Sequence, residues 1–489
     1  MKSMISIASR EELQQIHDRT MVVLKDVGMK IDEERMLEIL EKKGCKVDRA
    51  NNRVYFKSDL VESTLTSIKN DIETGKLKQN VLNGPMASKT DGKIRAKFGG
   101  ACIEIYDYEK DQIRKPTSEE IADSIQLGEA LPEVNLVGNT VLYLEEKGKM
   151  IDPRMQRIKT CELVAKNTSK PASTEIFNIA ELDLQIEMGI VLRGSREAFL
   201  ENPCFITAKE TISPLRLENE AAVILLALAE RGLPCTIIPM PIIGISTPLA
   251  RESAVVIGNA EILGSMTAIR ALYPDAKVAG GLGSGAVNMR IPTISLSTPE
   301  SLSQDLLLAQ LFEDLYGQDC GMLVGGIDAK LPGIQAVTEK FARMMLSYLS
   351  GRTNYLVGVL AGLNRFSAEE AIIELELAKY IHAIFRPFVI NNESIQLDLI
   401  KKQGPGGNFF GEDHTMFNFQ EVLWLTDIFD SSKTTGTSFE DKQKDILANA
   451  NKYMKEVMAK HERYHLSKEK EKEIDKIVKK AEEILLNRL

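Results

Sequence analysis

Eight short apolar runs, spaced by the length of a strand plus a helix, constrain this chain more than any other feature. They occupy 134–139, 170–175, 203–208, 235–240, 277–281, 320–325, 354–360 and 388–392, and their starts lie 36, 33, 32, 42, 43, 34 and 34 residues apart. Each is followed by a small or polar cluster and then by helical periodicity. Strands alternating with helices require right-handed crossovers and a parallel sheet. Eight such units within about 270 residues predict an α/β fold closed as a (β/α)8 TIM barrel. An open doubly wound sheet is the alternative.

Start and stop signals agree with this alternation. Ser213-Pro214, Thr247-Pro248 and Thr298-Pro299 each place a capping hydroxyl before a proline at a first helical position. Ser367 with Glu370 forms a capping-box pattern, and Gly232 and Gly317 sit where helices should end. Before residue 120 the pattern is mixed. Helical spacing ends at Gly28 and again at Gly44, and 93–98 with 102–106 alternate around Gly99-Gly100 as a hairpin would. The expected division is an N-terminal α+β extension (1–120), the barrel (121–430) and a C-terminal helical tail (431–489). In that tail Ile446, Leu447, Met454, Val457 and Met458 pack on the barrel or on a neighbouring subunit. A homo-oligomer is expected.

Charge and cysteine content exclude some functions. With 61 basic and 70 acidic residues among 489, the formal net charge of −9 argues against nucleic acid as the main partner. No run of eighteen apolar residues exists, so no membrane span is expected. The N-terminus runs straight into a charged helical pattern, which predicts a cytoplasmic protein. The six cysteines have neither disulfide nor zinc spacing.

In a barrel the chemistry sits at the carboxyl ends of the strands. Those ends carry Asn139, Thr140, Glu175, Lys209, Glu210, the 239–241 segment, Gly283 to Gly285, Asp328, Lys330, Ala361 to Asn364, and Asn391 to Glu393. Little histidine and little basic charge gather there, so the rim is not built for phosphate. Gly281-Leu-Gly-Ser-Gly285 looks like a dinucleotide fingerprint, but Met289-Arg-Ile-Pro292 follows where a helix should open. It reads as a barrel loop. Asp328 is the acid most readily placed in a pocket, with helix capping as the alternative. Lys330 could serve a Schiff-base lyase. His382 lies in a last helical turn, where the dipole favours a histidine, so a structural role is expected rather than catalysis.

The densest cluster is Gly404-Pro-Gly-Gly-Asn-Phe-Phe-Gly-Glu-Asp-His-Thr415. Four glycines and a proline make a loop whose backbone can approach a ligand closely. Phe409, Phe410, Glu412, Asp413 and His414 ride on it, ahead of a helical pattern containing Trp424, the only tryptophan.

This string, with Ser213-Pro-Leu-Arg-Leu, the 239–248 segment, Asp328-Ala-Lys-x-Pro332 and Trp424, resembles the trimethylamine methyltransferase family. The resemblance covers residues 1–430 and is densest over 213–424. It implies a (β/α)8 barrel that passes a methyl group from an amine to the cobalt of a separate corrinoid protein. The archaeal trimethylamine enzymes carry pyrrolysine. This chain has only standard residues and resembles the non-pyrrolysine branch, which acts on quaternary amines such as glycine betaine, proline betaine, carnitine and γ-butyrobetaine. Ser367-Ala-Glu and Asn408 depart from the family pattern and leave the substrate open. A quaternary ammonium is already cationic and leaves as a neutral amine, so no general acid is required. On this reading the chain binds no cofactor tightly, the corrinoid (cobalamin) arriving on its partner protein. Aromatic faces at Phe98, Tyr355, Phe366, Phe409 and Phe410 would hold the cation. Asp328 or Glu393 would balance its charge, and Arg290 or loop amides would take a substrate carboxylate. Gly404, Gly406, Gly407 and Gly283 would meet the corrinoid, with His414 facing it or holding the loop. The rivals are the Lys330 lyase and a barrel that binds a corrinoid protein or amine without turnover.

Overall fold

The computed structural model describes residues 3–77, 92–138, 140–142, 144–146, 148–322, 326–431 and 445–486. Parallel strands form its centre: β1 (Arg95–Phe98), β2 (Val134–Gly138), β3 (Ala172–Ser173), β4 (Phe205–Ile206), β5 (Lys209–Glu210), β6 (Cys235–Ile238), β7 (Val278–Leu282), β8 (Cys320–Met322) and β9 (Asn354–Val357). Strands β4 and β5 are two halves of one extended stretch. One parallel sheet runs β4-β3-β2-β1-β9 and the other β5-β6-β7-β8. Neighbours follow chain order, and the last strand returns to the first through the register Tyr355↔Ala96 and Val357↔Phe98. Helices such as Ser118–Ala130, Asn219–Glu230, Arg251–Leu272, Pro299–Leu311 and Ile334–Leu349 connect consecutive strands. The fold is therefore α/β, with parallel strands joined through helices. Among the described residues no ladder joins β8 to β9, so hydrogen-bonded closure of a barrel is absent there.

Two of the sequence expectations are corrected. The 93–98 stretch is no hairpin arm; as β1 it lies between β2 and β9 in the parallel sheet. Its apolar run is broken because Arg95 and Lys97 point inward while Ala96 and Phe98 face the helices, both fully buried. Conversely, 388–392 is no strand. Phe388 and Ile390 are 91% and 82% exposed, and the segment leads into the short helix Asn392–Ile395. The expected strand ends at Asn139 and Gly325 lie outside the described residues.

The helix starts are mixed. Thr298 caps Pro299–Leu311 by accepting from the Ser301 amide, and Ser367 caps Ala368–Ile384 by accepting from Glu370. Ser213-Pro214 instead lies in a loop, and the helices expected there and at Thr247-Pro248 begin later, at Asn219 and Arg251. Gly28, Gly44, Gly232 and Gly317 follow helix ends with φ of 76°, 89°, 73° and 64°, the left-handed region that favours glycine.

An antiparallel N-terminal sheet (Met29–Ile31, Arg53–Tyr55, Lys46–Asp48) joins the centre through the parallel pair Lys30↔Arg216. Its core is continuous with that behind β6 and β7. Helix Arg251–Leu272 is long and apolar enough to cross a membrane. Most of its residues are buried in that core, Asn259 and Glu261 among them. At the other end Ile446, Leu447, Met454, Val457 and Met458 pack against the Ala368–Ile384 layer.

Candidate active site

Strand alternation decides which side chains reach the interior. In β1, Phe98 faces the helices, so Lys97 faces inward; its partner in register is Leu136. In β3, Ala172 is buried outward and Ser173 points in, with Glu175 two residues on. In β5, Glu210 stands beside Ile238, while the buried Lys209 pairs in register with Ile237, which faces the helices. Lys97, Ser173, Glu175 and Glu210 thus converge at the carboxyl ends of the strands.

Lys97 Nζ donates to Ser173 Oγ at 3.1 Å. Burial pushes the Lys97 ammonium down in pKa, opposed by the charges of Glu175 and Glu210. Burial also raises Glu175, and repulsion from Glu210 adds to it, against Lys209, Lys97 and Arg157. Titratable groups pushed from their ordinary values at one mouth are the electrostatic mark of a site. Beside them Phe177 already accepts cations on its ring, Arg157 at 4.6 Å and Lys209 at 4.9 Å from the centroid.

The opposite wall is bare. Gly280 faces the helices, where a Cβ would meet Ile262 and Phe312, so Gly281 faces inward; its partner in register is Gly321. A Cβ on Gly321 would stand 3.7 Å from the Gly281 Cα.

Buried polar side chains hold the strand ends. Asp305 accepts from Ser284 and pairs with Arg343 at 3.3 Å; burial pushes the Asp305 carboxyl up to about 6. Glu261 accepts from the Thr211 and Ser213 hydroxyls and, at 2.8 Å, from the Leu215 amide, fixing the loop after Glu210. Glu374 accepts from the Gly358 amide at 2.8 Å just beyond β9 and pairs with Lys340 at 3.0 Å.

The residues expected from sequence are distributed differently. Phe98 is fully buried on the helix-facing side and meets Phe366 edge-on at 5.4 Å, so no ligand reaches its face. Tyr355 is likewise fully buried and bonds His382 Nε2 at 3.2 Å. Burial holds the His382 imidazole down at about 4, so the ring that meets the Tyr355 hydroxyl is neutral. Phe366 lines a separate groove of about 610 Å³ with Tyr106, Asp107 and Glu369. Asp328 accepts from the Ser295 hydroxyl and from the amides of Leu296 (2.9 Å) and Ser297 (3.3 Å), which makes it a clamp on that loop. Lys330, Arg290 and Glu393 are exposed. Gly283 is buried behind β7 and donates to the Pro239 carbonyl at 3.0 Å. Gly404, Gly406, Gly407, Phe409, Phe410 and His414 sit on an outer segment rooted at the end of helix Ala368–Ile384. Glu175 and Glu210 were legible as strand ends. Lys97 was not, although alternation along 95–98 was the signal.

The family model of trimethylamine methyltransferase (MTTB) matches residues 2–485. The chain is similar to the glycine betaine methyltransferase of Desulfitobacterium hafniense (strain Y51), 24% identical over 431 residues and 87% of each chain. It is 24% identical over 465 residues to the proline betaine:corrinoid methyltransferase of Eubacterium limosum, covering 92% of each. It is also 26% identical to the trimethylamine methyltransferase MttB of Desulfitobacterium hafniense (strain DSM 10664 / DCB-2), over 83% of this chain and 80% of that one. A crystal structure of the hydroxylamine MtmB complex has a like fold, with a TM-score of 0.50 and 12% identity over 93% of this chain and 89% of that one.

Proposed function

The chain belongs to the trimethylamine methyltransferase family, and from that premise we propose that it moves a methyl group from a betaine-type quaternary amine to a corrinoid carried by a separate protein. The observation that carries the substrate class is one mouth holding two carboxylates, Glu175 and Glu210, within the field of one ammonium, Lys97. A betaine is the mirror of that set: a fixed cation and a carboxylate on one small molecule. The relatives named for glycine betaine and proline betaine support the same class.

Each side chain then has a definite task. Glu175 and Glu210 hold the trimethylammonium end, and Lys97 receives the carboxylate. The substrate nitrogen loses its charge as the methyl departs, so a strong anionic grip would favour the ground state over the transition state. Lys97 beside the two carboxylates tempers that grip. No proton is needed on the leaving amine, and the chain's contribution is orientation and exclusion of water. The corrinoid supplies the nucleophilic cobalt, held by its own protein. The side-chain-free backbone at Gly281 and Gly321 fits the approach of a large flat ring. Closure of the two parallel sheets into a complete (β/α)8 barrel across β8 and β9 belongs to the same reading.

The test is spectroscopic. Purified protein is mixed anaerobically with titanium(III)-reduced cob(I)alamin, free or on a cognate corrinoid protein. Glycine betaine, proline betaine, carnitine, γ-butyrobetaine and trimethylamine are added separately. Loss of the Co(I) band with one betaine and none with trimethylamine is the expected result. Inertness toward every quaternary amine with a cognate corrinoid protein present would overturn the reading. Calorimetric binding without turnover would indicate a non-catalytic binding barrel.

A further inference from the structure

Between helix Ala368–Ile384 and the C-terminal helices the chain leaves the body as a finger, residues 386–425. It contains the helices Asn392–Ile395, Leu397–Gln403 and Asp413–Val422, none of which buries a single residue. Its internal ties are polar. Arg386 Nη1 donates to the carbonyls of Glu421 (2.6 Å) and Val422 (3.2 Å), closing the base. Lys402 pairs with Glu412 at 2.8 Å beneath the glycine-rich loop. Trp424 packs against Tyr380 with the rings tilted by 59° at 4.9 Å, fastening the returning segment of the finger to the body. Its apolar side chains point the other way. Fourteen of the thirty-two exposed large apolar residues among the described residues fall in these forty positions, with Phe388, Ile390, Phe410 and Phe417 each between 79% and 91% exposed. A monomer's largest exposed apolar patch is usually a few hundred Å². This arrangement is the inverse of a folded unit's, polar inside and apolar outside, and it requires a cover.

We propose that the finger packs onto a second copy of this chain. Permanence argues for that occupant. An acceptor protein that must depart after each turnover uses an interface about as apolar as ordinary surface, whereas obligate homomeric interfaces are larger and more apolar. A membrane is disfavoured by charge, since residues 386–425 carry five acids and three bases. The finger's root adds a geometric reason. Helix Ala368–Ile384 follows β9 and runs back beside it, so that Tyr355, early in β9, meets His382 near the helix end. The finger therefore springs from the face opposite the strands' carboxyl ends. The Gly404–His414 loop is tied to Lys402 and Gln403 at its base but is otherwise open: a Cβ on Gly407 would strike the Gln403 carbonyl, whereas one on Gly404, Gly406 or Gly411 would meet nothing within 4 Å. Seated on a neighbour, that loop is presented to another copy. The choice of a second copy over an acceptor protein rests on the methyl-transfer reading; the root, the polar ties and the exposed apolar side chains do not.

Sedimentation equilibrium of the full-length protein at tens of micromolar is the test, with the double variant Phe388→Asp/Phe417→Asp beside it. The wild type is expected at a multiple of the chain mass and the variant at the mass of one chain. The variant's thermal midpoint on heating at high dilution should match that of wild type, which separates dissociation from misfolding. All six native thiols are buried, so Phe410→Cys with a thiol-to-amine cross-linker reports on the finger alone. A product of doubled mass is expected from the purified protein. A monomeric wild type, an oligomer unchanged by the two aspartates, or a cross-link formed only when corrinoid protein or vesicles are added would each overturn the proposal.

Discussion

Lys97 reaches Ser173 from two strands away, its Nζ donating to Oγ at 3.1 Å with β2 lying between. Adjacent strands stand about 4.8 Å apart, so the lysine stem, the hydrogen bond and the Ser173 side chain together bridge roughly 10 Å across the interior face. The position beside Ser173 in β2 is Gly138, which offers no side chain to obstruct it. A buried ammonium with one neutral partner is under-satisfied, because it carries three donors. The second and third are available to an arriving carboxylate.

Replacing Lys97 with Met should therefore separate the two ends of the substrate. Loss of a charged hydrogen bond of about 1.5–3 kcal/mol corresponds to roughly a 10- to 150-fold weaker grip on glycine betaine. Tetramethylammonium, which has no carboxylate, should bind the variant as well as wild type or better, since a competing cation has gone. Calorimetry with both ligands decides it. Equal loss for both would remove Lys97 from the carboxylate site.

Glu175→Gln should trade affinity for stability. Burial and Glu210 raise the Glu175 pKa. A carboxylate whose folded pKa lies above its unfolded value costs stability at any pH above the folded pKa, and that cost fades as acid protonates it. The variant should melt higher than wild type at pH 8, with the gap closing as pH falls through the raised pKa. Its quaternary-amine affinity should fall, and wild-type affinity should decline on acidification through the same range. A melting point unchanged at pH 8 would show that the charge is not carried at a cost.

The contrast between β1 and residues 388–392 shows where sequence reading has purchase. Helix-facing strand residues are apolar whatever the function, so Val137, Cys235, Val278 and Val357 announce strands. Interior-facing residues follow the ligand. Arg95 and Lys97 break the apolar run that marks a strand, and β1 looked like part of a surface hairpin. Phe388 and Ile390 read as a strand because apolar side chains awaiting an interface have the composition of a core. The glutamates at 175 and 210 were readable as strand ends. The aromatic set was not, because Phe98 and Tyr355 have helix-facing parity, and a one-residue shift in register moves a side chain from one face to the other.

The Lys340–Glu374 pair should prove a liability when halved. Neither side chain is exposed, and the two meet at 3.0 Å under Gly358. Glu370, also buried, lies against Glu374, and burial followed by that neighbour's charge pushes it well above the usual carboxylate range. Lys340→Met leaves two acids facing each other without a cation. Removing one partner of a buried pair costs about 3–5 kcal/mol, seen as a lower thermal midpoint at pH 8 with partial recovery at pH 5, where the acids are more easily protonated. Lys340→Met with Glu374→Leu should recover most of the loss at both pH values. If the single variant melts like wild type, the pair does not brace the end of β9.

Asp328→Ala distinguishes a clamp from a ligand. The carboxylate holds the Ser295 hydroxyl and the Leu296 and Ser297 amides, while Arg343 holds the Leu296 carbonyl from the other side. Truncation leaves those donors without their acceptor, a cost of about 1–3 kcal/mol for such groups when part-buried. Amide exchange should accelerate at 296 and 297 and little elsewhere, and the thermal midpoint should drop modestly. Quaternary-amine affinity should stay within about two-fold, because the oxygens that would face a cation are already occupied by this loop. Asp328→Asn, which keeps one acceptor oxygen, should recover part of the lost exchange protection. A fall in affinity of ten-fold or more with exchange unchanged would instead put Asp328 on the substrate and end its reading as a clamp.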